Sequence, residues 1–291
     1  TLKAKTRDFM MRSLYAIFAT ALLGVLGFTK PATACSTTTA CEVPTGEYVI
    51  TLPDDNNEQR PAIVFVHGFG GSGPGVFRNT SMVTAFTDRG YAVIAPSGLP
   101  RTNGNGGSWS FHPDRTQRRD EIAFLTSVRD DAIARHGIDP DKIILAGFSI
   151  GGSMTAYMAC AVPETFAAYA PVGGNFWRPH PTQCTGPVRM LHTHGWTDGT
   201  VPLEGRVWRG SDSRDPAALM QGDVFYALSL WRETNGCFQL KPDGYVTDGP
   251  FLIRKWTNCA EDSALEFALF PGGHVIPRGW ATLTMNWFEG L

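Results

Sequence analysis

A serine flanked by glycines, in the stretch "LAGFSIGGSM" (145–154), is the group most suggestive of chemistry in the chain. Gly147, Ser149 and Gly151 fit the pattern G-x-S-x-G, in which a sharp turn from a strand to a helix exposes a nucleophilic serine. Such a serine attacks a carbonyl carbon when a neighbouring base takes its proton. The alternative is a plain strand-to-helix joint, where the glycines only permit a tight turn. The apolar run before Ser149 and the helical pattern after it favour a nucleophile.

A nucleophilic serine of this kind needs an acid and then a histidine later in the chain. Asp198 lies in a glycine-flanked loop directly after the apolar run "VRMLHTHG", whereas Asp212 and Asp215 are farther from any strand end and are expected to be solvated. Of the seven histidines, His274 alone follows Asp198. We therefore predict that His274 takes the proton of Ser149. Asp198 is predicted to orient the imidazole and to stabilise its charged form.

The stretch "VFVHGFGGSG" (64–73) could hold the oxyanion that forms when a serine attacks a carbonyl. It continues an apolar run and resembles the glycine-rich loop that supplies a backbone N–H donor in lipases and esterases. We predict oxyanion donors at the backbone N–H groups of Phe69 and Ile150, and a structural role for His67. A phosphate-binding loop is the alternative, but the Gly-Lys-Ser/Thr ending of such a loop is missing.

Two histidines and three tryptophans raise the question of further ligands. His192 and His194 alternate along a predicted strand, so both side chains face the same way. No third ligand accompanies them in the sequence, so we predict no metal. Trp109, Trp177 and Trp196 lie in loops where strands end, the side on which such sheets bind ligands. They could form an aromatic substrate pocket, or they could only pack beneath long loops.

Alternating strands and helices surround these residues. The strands are predicted at "EYVITLP", "PAIVFVHG", "YAVIAPSG", "DKIILAG", "FAAYAPVGG", "VRMLHTHG", "GPFLIRKWTN" and "ALEFALFPGG". The helices are predicted at "MVTAFTDRG", 119–136, "GSMTAYMACAV", "AALMQGDVFYALSLWRETNG" and "ATLTMNWFEGL", and "LPRTNGNGGSWSFHPDRTQ" is predicted to be a long surface loop. This alternation predicts an α/β fold with a mainly parallel central sheet and helices on both faces.

Composition and charge limit the class of protein. The 291 residues are 43% hydrophobic with a formal net charge of −2 and no basic cluster outside the N-terminus, so no nucleic-acid partner is expected. The N-terminus has a basic stretch, an apolar run and then small residues, the layout of a secretory signal peptide over 1–34. We predict one catalytic domain over 35–291, a secreted or periplasmic location, and no stable membrane association after cleavage. An uncleaved anchor is the alternative.

Six cysteines suit an oxidising compartment, and their spacing does not match a zinc site. Four of the cysteines form two pairs that are local in the sequence and the other two remain as a third pair, which suggests three disulfides, although six cysteines allow fifteen sets of pairs. The predicted pairs are Cys35 with Cys41, Cys160 with Cys184, and Cys237 with Cys259.

Four stretches of the chain carry a family resemblance. They are "VFVHGFGGSG", "DKIILAGFSIGGSMTAYMACAVPETFAAYAPVGG", "HTHGWTDGTVP" and "PGGHVIPRGW", in this order between about residue 41 and the C-terminus. Together they resemble the secreted polyhydroxybutyrate-depolymerase-like esterases, which merge with the feruloyl and acetyl xylan esterases. The resemblance implies an α/β-hydrolase fold, cofactor-free hydrolysis of carboxylic esters, and Ser149, Asp198 and His274 as catalytic residues. It also supports the third cysteine pair.

The substrate within this family stays open. Depolymerases of solid polymer carry a linker and a substrate-binding domain, whereas this chain ends shortly after His274, so we expect soluble or oligomeric small-molecule esters. Feruloyl or acetyl xylan esters are the alternative. A serine peptidase of the same fold and a catalytically inactive binding protein are further alternatives, and the oligomeric state is not indicated.

Overall fold

The structure is a computed structural model that describes residues 35–291, apart from 56, 58, 208, 209 and 216. The predicted signal peptide, 1–34, lies outside the described residues. The assignment of 35–291 to one catalytic domain stays a prediction. Fifteen β-strands, six α-helices and one short 3-10 helix make up the regular elements of the described part of the chain.

The strands, in chain order, are β1 (Cys41–Val43), β2 (Gly46–Thr51), β3 (Arg60–Val66), β4 (Ala92–Pro96), β5 (Leu99–Pro100), β6 (Gly107–Ser108), β7 (Ile138–Phe148), β8 (Ala168–Val172), β9 (Trp177–Arg178), β10 (Arg189–Gly195), β11 (Arg206–Val207), β12 (Met220–Gln221), β13 (Gly244–Asp248), β14 (Phe251–Trp256) and β15 (Ala264–Phe270). The α-helices are α1 (Gly73–Val76), α2 (Thr80–Thr87), α3 (Glu121–His136), α4 (Ile150–Ala161), α5 (Val224–Thr234) and α6 (Trp280–Glu289), and the 3-10 helix spans Pro163–Thr165.

Ten of the strands form one sheet in the order β1-β2-β4-β3-β7-β8-β10-β15-β14-β13. The six central strands, from β4 to β15, run parallel to one another, and the outer strands pair antiparallel. Parallel strands end at the same edge of a sheet, so the loops after β3, β7, β8, β10 and β15 share one edge. The predicted class, a mainly parallel sheet with flanking helices, is confirmed.

Helices cover both faces of this sheet because its central strands are apolar on both sides. On β3, Val64 and Val66 pack into one buried cluster while Ile63 and Phe65 pack into a second one on the opposite face. The first cluster takes in residues of α3, α4 and α5, and the second takes in residues of α1, α2 and α6. Strands buried on both faces read as continuous apolar runs, which is why the sequence marks them clearly.

Two predicted segments differ from the structure. The predicted surface loop after β4 contains the β5–β6 hairpin, and its Trp109 and His112 are buried. The helix predicted over "AALMQGDVFYALSLWRETNG" begins only at Val224, because the side chain of Asp223 caps it by accepting hydrogen bonds from Phe225 N and Tyr226 N. The residues before this cap form β12, which pairs with β9 and β11. Local pattern alone does not reveal these short pairings.

All three predicted disulfides are confirmed. Cys35 is bonded to Cys41, Cys160 to Cys184 and Cys237 to Cys259. In the part of the chain that the structure describes, no helix combines the length and the apolar character that a bilayer crossing requires.

Candidate active site

Ser149 occupies the sharp turn between β7 and α4. Its backbone has φ 59° and ψ −124°, a conformation that residues other than glycine rarely adopt. The turn is held by hydrogen bonds from Ser149 N to Val172 O (2.9 Å) and from Ser153 N to Ser149 O (3.0 Å). A Cβ on Gly147 would overlap the carbonyl oxygen of Gly151, so glycine is required where the strand and the helix meet. This strained turn leaves Ser149 partly exposed at the edge where the central strands end.

His274 and Asp198 converge on Ser149 from loops that follow β15 and β10. The distance from His274 Nε2 to Ser149 Oγ is 2.9 Å, and that from His274 Nδ1 to Asp198 Oδ2 is 2.7 Å. A carboxylate only accepts hydrogen bonds, so Nδ1 carries the proton and Nε2 is free to accept from the serine hydroxyl. The structure therefore brings the three residues together in the order serine, histidine, aspartate.

The carboxylate of Asp198 is buried, and both of its oxygens accept hydrogen bonds. Oδ1 accepts hydrogen bonds from Thr200 N (2.9 Å) and Val201 N (2.8 Å), while Oδ2 accepts from His274. Burial alone would raise the pKa of Asp198, but the hydrogen bonds from His274 and from the backbone of Val201 hold this pKa below its usual value. The carboxylate thus stays charged beside the imidazole.

The loop after β3 lies beside Ser149. A Cβ on Gly68 would stand 3.4 Å from the Cβ of Ser149, which places the backbone around Phe69 next to Ser149. The ring of Phe69 points to solvent and is 59% exposed, with the guanidinium carbon of Arg101 4.0 Å from its centroid. The backbone N–H of Phe69 and that of Ile150, the first residue of α4, remain the predicted oxyanion donors.

His67 is buried and fixes this loop rather than facing Ser149. Its Nε2 accepts a hydrogen bond from Gly98 N (3.0 Å), so its Nδ1 carries the proton and donates to Gly68 O (2.8 Å). Burial lowers the pKa of His67, which keeps the ring neutral. The indole of Trp109 donates from Nε1 to His67 O (2.8 Å). The geometry agrees with the structural role expected for His67.

The three tryptophans predicted near the substrate have different surroundings. Trp109 is 5% exposed and packs beneath the loop of His67. Trp177 is buried and its ring lies 5.7 Å from that of Phe111, at a cavity of about 230 Å³. Trp196 is 64% exposed, two residues before Asp198. Trp109 therefore braces the loop, and a substrate-binding role for all three stays a prediction.

The local environment of His274 was not anticipated from the sequence. The ring of Phe148 lies 4.6 Å from the imidazole, centroid to centroid, and a Cβ on Gly173 would stand 3.4 Å from both His274 Nδ1 and Asp198 Oδ2. Phe148 occupies a variable position of the G-x-S-x-G pattern, so only its place next to Ser149 could have signalled it. A second cavity, of about 390 Å³, lies between Phe148, the loop of Phe69, and Ile276.

The pattern of possible metal ligands is not that of a metal site. His192 and His194 do face the same side of β10, but their rings hydrogen-bond to each other. Elsewhere among the described residues, Cys35, Cys41 and His136 bring their ligand atoms together, but the two cysteines share a disulfide and have no thiolate to offer. The prediction that the protein needs no metal or cofactor stays a prediction.

Comparison with known proteins places the chain among ester hydrolases. A family model described as phospholipase/carboxylesterase matches residues 47–208. Feruloyl esterase B of Thermothelomyces thermophilus is 30% identical over 51% of this chain and 53% of its own length. Acetylxylan esterase A of Aspergillus ficuum is 31% identical over 43% of this chain and 41% of its own length. The chain thus spans about half the length of the first of these two curated relatives and less than half of the second.

A solved structure resembles nearly the whole described chain. The acetyl xylan esterase from Aspergillus awamori superposes with a TM-score of 0.61 at 19% identity, covering 89% of this chain and 97% of that one. At this identity the likeness concerns the fold. It confirms the predicted α/β-hydrolase fold.

Proposed function

The chain belongs to the phospholipase/carboxylesterase family, and we propose that it is a serine carboxylic ester hydrolase in which Ser149, His274 and Asp198 do the chemistry. The single observation that carries this proposal is the continuous hydrogen-bonded line from Ser149 Oγ through His274 to Asp198 Oδ2. A structural serine on an ordinary turn would need neither the strained backbone nor a histidine aimed at its oxygen.

The reaction proceeds in two halves. Ser149 Oγ attacks the ester carbonyl carbon while His274 Nε2 takes the hydroxyl proton, and the imidazolium then gives that proton to the departing alcohol. This leaves an acyl group on Ser149. A water molecule then attacks the acyl carbon while His274 takes one of its protons. The imidazolium returns that proton to Ser149 Oγ as the bond between Oγ and the acyl carbon breaks, which releases the carboxylic acid. Asp198 stays charged throughout and stabilises the imidazolium.

The tetrahedral intermediate of each half carries a negative oxygen. The N-terminus of α4, which begins at Ile150, offers unsatisfied backbone N–H groups and a favourable dipole there. The backbone N–H of Phe69 supplies the second donor from the loop after β3. A donor of this kind contributes roughly 3 kcal/mol of transition-state stabilisation.

The acyl and alcohol parts of the substrate are proposed more broadly. The names of the relatives make feruloyl and acetyl esters the first to test, whereas polyhydroxybutyrate oligomers are supported by the motif resemblance alone. The cavity of about 390 Å³ beside Phe148 has room for a short acyl chain or a single aromatic ring. Hydrolysis of any of these esters requires neither a nucleic acid nor a cofactor.

Export of the protein is supported by its cysteines. All six are in disulfides, and disulfides persist mainly in oxidising compartments such as the periplasm or the extracellular space. We therefore place the protein outside the cytosol, in keeping with the signal peptide predicted over 1–34.

The decisive experiment replaces Ser149 with alanine. Purified Ser149→Ala should lose turnover of p-nitrophenyl butyrate, by about 10⁶-fold in kcat for a serine enzyme of this type. An organophosphonate should add covalently to Ser149 in the unaltered protein and inactivate it. Ser81→Ala, which changes an exposed serine of α2, is the control and should react normally. Hydrolysis by Ser149→Ala at the unaltered rate would overturn the proposal.

Substrate preference is then measured on the unaltered protein. Rates on methyl ferulate, acetylated xylan, hydroxybutyrate oligomers and short p-nitrophenyl esters rank the acyl groups directly. A peptide substrate in the same panel separates an esterase from a peptidase of the same fold.

A further inference from the structure

Two buried histidines lie directly behind the loop that carries Asp198. His192 and His194 are 1% and 0% exposed, and both face the same side of β10. Their rings stack with an interplanar angle of 19°, and His192 Nε2 lies 3.0 Å from His194 Nδ1. A central strand of a parallel sheet normally fills such positions with apolar side chains. Burying two imidazoles instead carries a desolvation cost that their hydrogen bonds must offset.

The hydrogen-bond partners fix the tautomer of each ring. His194 Nε2 lies 2.8 Å from Val201 O, and a carbonyl only accepts, so this nitrogen carries a proton. In the neutral ring Nδ1 is then an acceptor, and the proton between the two rings belongs to His192 Nε2. Burial lowers the pKa of both histidines; a charge on His194 lowers that of His192 further, and for His194 burial outweighs the opposite effects of the Val201 carbonyl and Asp198. Both rings therefore stay neutral.

The hydrogen bonds that start at His192 end on the 198–201 turn, which carries Asp198. Val201 is tied at both of its backbone groups: its N–H donates to Asp198 Oδ1 (2.8 Å), and its C=O accepts from His194 (2.8 Å). His194 Nε2 also lies 3.7 Å from Asp198 Oδ2, the oxygen that accepts from His274. Among the described residues, the ionisable groups outside the pair that act on its charge are Asp198 and His274. From β15, the edge of the Phe267 ring covers His192.

We propose that His192 and His194 are positioning residues that lock the 198–201 turn, and so hold the Asp198 carboxylate in register with His274. This inference rests on the proposed function, because it assigns a purpose to the orientation of Asp198. Neither histidine touches the substrate. Their contribution is to the geometry of the acid, and a displacement of a catalytic group by about 1 Å can reduce a rate about 100-fold.

The alternative is a pair of histidines that only satisfies itself inside the core. Such a pair would affect the stability of the fold but not the way Asp198 acts on His274. The two explanations therefore differ in kinetics and in pH dependence, and these readouts decide between them.

The first test uses the protein without substitution. Two-dimensional ¹⁵N–¹H multiple-bond spectra of the imidazoles report the tautomer of each histidine. We expect His194 to be neutral at pH 7.5 with its proton on Nε2. A proton on Nδ1, or a charged His194 at that pH, would contradict the hydrogen-bond directions on which the proposal depends.

The second test compares two substitutions of His194 with a control variant of the same strand. His194→Phe keeps a ring but removes the donor to Val201, and kcat should fall about 10- to 100-fold with KM within about twofold of the unaltered value. The acid limb of the kcat/KM profile should also move to lower pH, because a misplaced Asp198 stabilises the imidazolium less. His194→Gln restores an N–H donor near the Nε2 position and should recover most of both effects.

The matched control is Thr193→Val, a buried, nearly isosteric change on the opposite face of the same strand. The hydroxyl of Thr193 has no hydrogen-bond partner among the described residues, so this variant should keep the unaltered kcat and pH profile. If His194→Phe does not fold, His192→Gln and His192→Leu replace it. The proposal then expects normal kinetics for the first and a reduced kcat with a shifted acid limb for the second.

The outcomes separate this proposal from the proposed function. If Ser149→Ala is inactive while folded His194→Phe, or His192→Leu in its place, retains kcat and the acid limb, the histidine pair is only structural and the esterase assignment stands. If Ser149→Ala is fully active, the esterase assignment itself fails.

Discussion

The backbone of Gly151, in the first turn of α4, lies directly against the carbonyl oxygen of Val66 at the end of β3: a Cβ on Gly151 would overlap that oxygen. This contact joins the helix that follows Ser149 to the strand that leads into the loop of Phe69. The distance between Ser149 and the loop of Phe69 is therefore set by backbone packing and depends on the absence of one methyl group.

We expect Gly151→Ala to separate these two elements. Overpacking of this kind typically costs about 1–3 kcal/mol of stability, and a shift of about 1 Å in the loop would lower kcat roughly 100-fold. Urea unfolding and p-nitrophenyl butyrate kinetics measure the two effects. Gly244→Ala is the control, since a Cβ there meets only ordinary contact at 4.0 Å. Normal kcat in Gly151→Ala would show that the loop does not depend on this contact.

Replacement of Asp198 with asparagine should preserve the fold and abolish most of the activity. The asparagine N–H would donate to His274 Nδ1, so the proton would move to Nε2, which could then no longer accept from Ser149. In serine enzymes this change lowers kcat by about 10⁴-fold. Steady-state kinetics at pH 8 on Asp198→Asn tests it.

The control for this prediction is Asp212→Asn. Asp212 is solvent-exposed and pairs with Arg214, so its replacement should leave kcat unaltered. If Asp212→Asn lost activity and Asp198→Asn did not, the acid would be wrongly assigned.

Trp109→Phe should affect both the fold and the chemistry. The variant loses the hydrogen bond to His67 O and leaves that buried carbonyl unpaired, which costs about 1–3 kcal/mol. Because the same carbonyl belongs to the loop that carries Phe69, kcat should fall roughly tenfold. Trp256→Phe removes a comparable indole hydrogen bond, to Leu240 O, far along the chain from this loop, and should lower stability alone. Equal kcat in the two variants would contradict the bracing role of Trp109.

Stability should decrease as the pH is lowered below about 6.5. Burial depresses the pKa of His192 and of His194 in the folded protein, so between that depressed pKa and the ordinary value the unfolded chain binds more protons than the folded one. Protons then favour unfolding, by up to about 1.4 kcal/mol per pH unit for each histidine that stays neutral. Urea unfolding at pH 7.5, 6.5 and 5.5 measures this slope.

The variant that isolates this effect is His192→Phe, in which the slope should flatten, whereas Thr193→Val should keep the slope of the unaltered protein. An unchanged slope in His192→Phe would mean that His192 titrates normally in the folded state.

Much of the architecture could be predicted from local pattern. The apolar runs of β3, β4 and β7 are buried on both faces, and a central parallel strand has no polar side to interrupt its sequence. The helix α3 ends at Gly137, which adopts the left-handed conformation that glycine tolerates best. The segments that differ, the β5–β6 hairpin and the residues before α5, contain strands of only two residues, which are too short to show an alternating pattern. The strand before α5, β12, also pairs with β9, which is distant in the sequence.

The sequence by itself predicted Ser149, Asp198 and His274 as catalytic residues in this order, because the strained turn requires glycines at fixed positions and a single histidine follows the acid. Only the tertiary structure decided what surrounds them. His67 and Trp109, and His194 and Val201, are linked by hydrogen bonds whose direction depends on how loops from separate strands meet. Residue types can be read along the chain, but the partner of a buried polar group is set by packing in three dimensions.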